Sequence, residues 1–204
     1  MENAEVAKGS RKSLSSHFGI AAIVIIIAFT MGGCSNKKSE ENIKNKTNAI
    51  SNPTLWKDVN SGMSFDEVKM MYPSSEIVTI EDLPDNISIL QFDGVVVQKE
   101  DFLIRFVFDD DKLDAVSLFP KNEITVATSD NLFVGIQEEL TLKYGNPVDE
   151  NSEKINIYYS LKQILWNGPG IIITLDYEKP MFSFNPAFIE IIYTAGTIEK
   201  EDNL

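Results

Sequence analysis

Phe102-Leu103-Ile104-Arg105-Phe106-Val107-Phe108 decides how this chain is read. Side chains of a β-strand point alternately to its two faces, so Phe102, Ile104, Phe106 and Phe108 share one apolar face. Asp109-Asp110-Asp111-Lys112 follows as a turn, because Asp is a favoured turn former, and leads into a second strand over 113–119. Upstream, 88–92 and 95–98 read as two further strands joined through Asp93-Gly94, a hairpin signal. Together these segments predict an antiparallel meander.

A short helix precedes that meander. In Asn60-Ser61-Gly62-Met63-Ser64-Phe65-Asp66-Glu67-Val68-Lys69-Met70-Met71-Tyr72-Pro73, Ser64 and Glu67 have the spacing of a capping box. Phe65, Val68 and Tyr72 fall on one helical face, and Pro73 stops the helix. The pattern returns about 70 residues later in Ser129-Asp130-Asn131-Leu132-Phe133-Val134-Gly135-Ile136-Gln137-Glu138-Glu139-Leu140-Thr141-Leu142-Lys143-Tyr144-Gly145-Asn146-Pro147. There Ser129 or Asp130 can cap, Phe133, Ile136, Leu140 and Tyr144 form the apolar stripe, and Gly145 suits a left-handed stop. Strands are expected at 155–159, 162–166, 171–177 and 188–194, with Asn167-Gly168-Pro169-Gly170 breaking the middle pair. Helix then meander, twice, predicts an α+β fold of two tandem helix-plus-antiparallel-β-meander repeats with the helices on one sheet face.

Gly-Met-Ser before a short helix, an aromatic and Pro after it, then a β-meander, resembles the SmpA/OmlA-type outer-membrane assembly lipoproteins. It also resembles the tandem form found in β-lactamase inhibitory proteins. The likeness covers 54–196. Family helices end Leu-Gly-x-Pro, which Tyr144-Gly145-Asn146-Pro147 approximates, whereas Tyr72-Pro73 lacks the glycine. The resemblance implies action by binding other proteins, not by catalysis, and transfers no contact residue.

The N-terminal region carries an address. Lys8, Arg11 and Lys12 precede an apolar run over 18–33, and small residues lead to Cys34, the only cysteine. Basic flank, short apolar core and small-residue cleavage site are the order of an export signal. Met31-Gly32-Gly33-Cys34 resembles the lipobox of bacterial lipoproteins, with Met31 where Leu is more frequent. That resemblance implies lipidation at Cys34, cleavage after Gly33 and a durable anchor of two or three acyl chains. The other reading is an uncleaved membrane helix, which needs about 20 apolar residues and is short of them here. Either way the remainder faces away from the cytoplasm: the periplasm if the lipoprotein sits in an outer membrane, otherwise the outer face of the plasma membrane. Ser35, in place of a retaining Asp, is compatible with outer-membrane sorting.

The expected organisation is signal peptide 1–33, lipidated N-terminus and polar tether 34–53, first repeat 54–127, second repeat 128–198 and tail 199–204. The tether is too polar to fold on its own. With 18 basic and 31 acidic side chains the formal charge is −13, a field that opposes nucleic acid and anionic headgroups. The one histidine, His17, lies in the leader, so a mature chain has no His and no free thiol. Ser-His and Cys-His nucleophiles and the usual zinc sites are therefore excluded. A carboxylate pair survives formally. No catalytic residue, metal site or cofactor is expected beyond the covalent lipid on Cys34.

Other sites compete with structural roles. Asp109-Asp110-Asp111 suggests calcium, but a calcium loop starting at Asp109 would need Gly where Asp114 stands and an acid where Pro120 stands. Trp56 and Trp166 could anchor a ligand or seal the sheet ends. The acidic pair Asp66-Glu67 suits a helix dipole, and Glu138-Glu139 a solvated face. The most distinctive loop is Lys179-Pro180-Met181-Phe182-Ser183-Phe184-Asn185-Pro186-Ala187-Phe188. Met181, Phe182 and Phe184 either present a partner-binding edge or fold back to cap the core. The function expected is a lipid-anchored, non-enzymatic envelope module that binds a protein partner. Alternatives are an envelope inhibitor or immunity-type protein, and a carboxylate-dependent hydrolase of envelope polymer.

Overall fold

The computed structural model describes residues 52–155, 158–182 and 185–198; the lipobox, Cys34 and the expected tail lie outside them. A small hairpin of β1 (Thr54–Trp56) and β2 (Val59–Asn60) leads to α1 (Phe65–Met71). Ser64 caps α1: its hydroxyl accepts from the Glu67 N–H at 3.3 Å, and the Glu67 carboxylate accepts from the Ser64 N–H at 2.8 Å. This reciprocal pair satisfies two otherwise orphaned donors. Then come β3 (Glu76–Ile77), β4 (Ile87–Val97), β5 (Glu100–Asp109) and β6 (Lys112–Pro120). The long helix α2 (Val126–Tyr144) follows, and β7 (Asp149–Lys154), β8 (Tyr159–Gly168), β9 (Ile171–Pro180) and β10 (Phe188–Ala195) complete the chain.

The α+β fold of two tandem repeats is corrected by this architecture. The described chain is mostly β, with two helices and one eight-stranded antiparallel sheet in the order β3-β4-β5-β6-β10-β9-β8-β7. β6 and β10 join the halves through Ile191↔Leu118, Ile192↔Ser117, Tyr193↔Val116 and Thr194↔Ala115. Both strands are buried along their length on both faces, so an unpaired edge on either would strand backbone donors in apolar surroundings. Pairing them removes that cost and makes one sheet of two.

Local expectations shift as well. Asp93-Gly94 is not a hairpin turn: β4 runs straight through it, with a bulge between Asp93 and Val95 where Gly94 takes φ 122°. The turn comes later, at Gln98 and Lys99, both with positive φ (50° and 71°), the backbone of a two-residue primed turn. Asp110 and Asp111 make the same turn between β5 and β6, as expected from the sequence. α2 begins at the Thr125 cap, so Ser129 and Asp130 lie inside the helix and do not cap it. The strand expected at 155–159 is displaced to β7, and β8 begins at Tyr159.

Both helices pack on one face of the sheet. Phe65 lies on Phe108, Tyr72 on Phe92 and Phe106, and Phe133 stacks on Tyr177 at 4.8 Å. Leu132, Phe133, Ile136 and Leu140 of α2 join Phe106, Val116, Trp166, Ile173, Leu175 and Tyr193 in one apolar cluster. Each such side chain contributes about 1.5–3 kcal/mol by leaving water. That face is the hydrophobic core, and the strands' alternation leaves a second face to be accounted for.

Candidate functional site

Residues one step away from the core set point to the face without helices. Cross-strand register lines up Gln91, Arg105 and Ser117 on β4, β5 and β6. Glu190 on β10 stands opposite Asp176 on β9, and Asp176 opposite Gln163 on β8. Two positions along β9, Glu178 pairs with Phe188 and Leu161. The central sheet thus carries three carboxylates and one guanidinium side by side.

The guanidinium is already engaged. Arg105 Nε donates to Gln91 Oε1 at 3.1 Å, and its plane sits 4.2 Å from the Phe119 ring centre. Asp176 accepts from Gln163 Nε2 at 2.8 Å and is nearly buried. Glu190 is 1% exposed, with the buried Ser117 hydroxyl beside its carboxyl and no hydrogen-bond partner at Oε2. Burial pushes the Glu190 carboxyl up to about 7; the adjacent Ser117 hydroxyl opposes that, Asp176 repulsion adds to it, Arg105 opposes it and Glu178 adds a little. Burial raises Asp176 to about 6 against the Gln163 bond. Glu178 is raised by burial and then by Asp176, and burial lowers Arg105. Burial thus favours the neutral form of each of the three carboxyl groups.

The residues singled out by sequence fall elsewhere. Met181 and Phe182 lie just past β9 and are 54% and 45% exposed. The Met181 N–H donates to the Tyr158 carbonyl at 2.6 Å, and the Tyr158 ring, itself 50% exposed, lies 6.2 Å from Phe182. Phe184 lies outside the described residues. The tip adjoins the end of β9 that carries Glu178. Asp109-Asp110-Asp111 is a tight turn whose Asp111 carboxylate accepts from the Phe65 N–H at 3.3 Å. Among the described residues no three His, Cys, Asp or Glu side chains are grouped to hold a metal ion. Trp56 packs 5.7 Å from Tyr193, and Trp166 is fully buried. Glu139 accepts from the Gln98 amide at 2.7 Å, tying α2 to the β4–β5 turn.

The helix side has a cleft of about 550 Å³, lined by residues including Asp130, Phe133, Gln137, Lys162 and Lys179. Two of its lysines have partners: Lys179 reaches both Asp130 oxygens at 2.8 Å, and Lys162 reaches Glu150 at 2.9 Å. The Tyr177 hydroxyl donates to Asp130 at 2.7 Å.

Sequence reasoning missed Asp176 and Glu190. The signal was present: each interrupts an otherwise apolar strand, in Ile171-Ile172-Ile173-Thr174-Leu175-Asp176-Tyr177 and Phe188-Ile189-Glu190-Ile191-Ile192-Tyr193. A lone acid inside a run read as doubly buried is the anomaly to notice. Comparison with protein-family models, with curated proteins and with solved structures finds no match to the chain.

Proposed function

We propose that this chain is a lipid-anchored protein of the cell envelope whose folded part binds another protein without catalysis. The observation that carries the reading is the exposed cluster of Tyr158, Met181 and Phe182 at the end of β9, next to a sheet face that neither described helix covers. Adaptable Met and aromatic side chains at an open end are the composition of an interface centre. The anchor rests on Cys34 and the apolar run before it. A hydrolase would need carboxylates at the cleft on the helix side, where Asp130 is held by Lys179 and Tyr177 and Glu153 is the other acid.

The test has two arms. A photo-crosslinker placed at Val96, far along the sheet, serves as the control for one placed at Met181. Partner capture at Met181, lost in Met181→Ser/Phe182→Ser with the melting temperature unchanged, supports the reading. Capture unaffected by the double change refutes the tip as the interface. Cys34→Ser should leave an unprocessed precursor without lipid label; continued processing and labelling would remove the anchor from the proposal.

A further inference from the structure

We propose that Asp130 is a positioning residue for the partner-binding tip: it clamps the end of β9 to α2, so that Met181 and Phe182 are held out in one orientation. The inference deepens the protein-binding reading and rests on it. Its first ground is how the sheet ends. Among the described residues β9 pairs with β10 only as far as Glu178, so Lys179 and Pro180 are paired on the β8 side alone, with Ser160 and Tyr159. β7 in turn reaches β8 only to Ser160. The chain that carries the tip thus leaves the sheet as a two-stranded ribbon, and such a ribbon is marginally stable by itself.

Its second ground is a set of side-chain bonds that reach this ribbon from outside the sheet. Lys179 Nζ donates to both oxygens of Asp130 at 2.8 Å, and the Tyr177 hydroxyl donates to Oδ1 at 2.7 Å. The Ser129 hydroxyl, next to Asp130 on α2, lies 2.9 Å from the same phenol. Tyr177 and Lys179 are two apart on β9 and so share its helix-side face. α2 itself is fixed in the core by Leu132, Phe133, Ile136 and Leu140. One carboxylate therefore ties the two-stranded end to a helix seated in the core. The tie is placed for positioning rather than for stability. Both members of the ion pair are nearly half exposed, and such pairs contribute roughly 0–1 kcal/mol to folding. Only Pro180 separates Lys179 from Met181, whose N–H is bonded to the Tyr158 carbonyl. Fixing Lys179 therefore fixes the base of the tip. An anchor already held in its bound orientation gives up less freedom when a partner arrives, which raises affinity.

The experiment is amide hydrogen exchange on the full chain, purified in detergent, followed at Met181 and at the core positions Phe106 and Ile136. Asp130→Asn keeps an acceptor for Tyr177 and loses the charged, two-oxygen grip on Lys179. It should speed exchange at Met181 about fivefold and leave Phe106 and Ile136 unchanged. Lys179→Met should do the same, and the double variant no more, since the pair acts as one unit. Lys179→Arg, which can span both oxygens, should restore the wild-type rate. Glu138→Gln, a charge loss on the exposed side of α2, is the control and should leave exchange at Met181 as it is. Partner capture by the crosslinker at Met181 should fall about fivefold in Asp130→Asn with the melting temperature unchanged. Unchanged exchange at Met181 in Asp130→Asn, or an equal rise at Phe106 and Ile136, overturns the positioning role. Capture lost in Met181→Ser/Phe182→Ser but kept in Asp130→Asn overturns it too, and leaves the protein-binding reading standing. No capture at Met181 in the wild type, with exchange altered as expected, overturns that reading and with it the role in binding, the clamp itself surviving.

Discussion

The two faces of the sheet are built by the same strands, one residue apart, and they obey different chemistry. Leu175 looks toward α2 and is fully buried; Asp176, the next residue, looks the other way and is nearly as buried. Ile189 and Glu190 repeat the contrast on β10. On the helix side burial is unconditional, because apolar groups lose nothing by leaving water. On the other side Ile89, Val107, Ala115 and Ile192 are buried too, but at Asp176 and Glu190 burial is conditional on where protons sit. Degree of burial therefore does not tell which face holds the fold together; the chemistry of what is buried does.

The largest blow to this contrast is on the helix side. Phe106→Ala removes a fully buried ring that packs on Tyr72 and should cost about 3–5 kcal/mol in urea unfolding. The opposite face should respond to pH instead. In the folded chain Glu190 keeps its proton up to about pH 7, against an ordinary value of 4.5. The folded state thus binds more protons across that window, so this group's contribution is intact below the unfolded value and declines as pH rises toward 7. Asp176, raised to about 6, adds a decline of the same sign at slightly lower pH. Glu190→Gln should flatten the fall in unfolding free energy between mildly acidic and neutral pH by about 2 kcal/mol; an unchanged slope would mean the carboxyl is not desolvated as described. Ser64→Ala, which removes the cap of α1, should cost about 1 kcal/mol with no pH signature in that window. Lys179→Met breaks an ion pair with both side chains nearly half exposed and should change thermal stability by less than about 0.5 kcal/mol. An effect as large as that of Ser64→Ala would show that the pair supports Tyr177 and the packing under α2.

How far the sequence spoke can be judged element by element. β5 was legible because Phe102, Ile104, Phe106 and Phe108 alternate against a lone Arg105. The Ser64–Glu67 cap was legible because two side chains three apart suffice to make it. β7 was not: Asp149-Glu150-Asn151-Ser152-Glu153-Lys154 is exposed at every position and is held as a strand by β8 alone. The Asp93-Gly94 pair misled because the same residues serve a bulge as readily as a turn. Gln98-Lys99 gave no warning, since neither residue favours positive φ and the pairing of β4 with β5 imposes it. The junction of β6 with β10 depends on partners some 70 residues apart, which periodicity within a window cannot register. For the candidate site, the tip residues Met181 and Phe182 stood out in sequence, but Arg105, Ser117, Asp176 and Glu190 are gathered only by cross-strand register.

The composition of β7 also governs how copies of this protein can meet. Among the described residues it is the outermost strand on its side of the sheet, and an outermost strand's backbone edge is a template for one more strand. Asp149, Glu150 and Glu153 put three acids along six residues of that edge, against the single Lys154. A second copy approaching edge to edge would bring acid against acid before any backbone bond could form. Crowded side by side at high local concentration, these molecules would remain separate along that edge, and a sheet that already unites two halves of one chain would stop at eight strands.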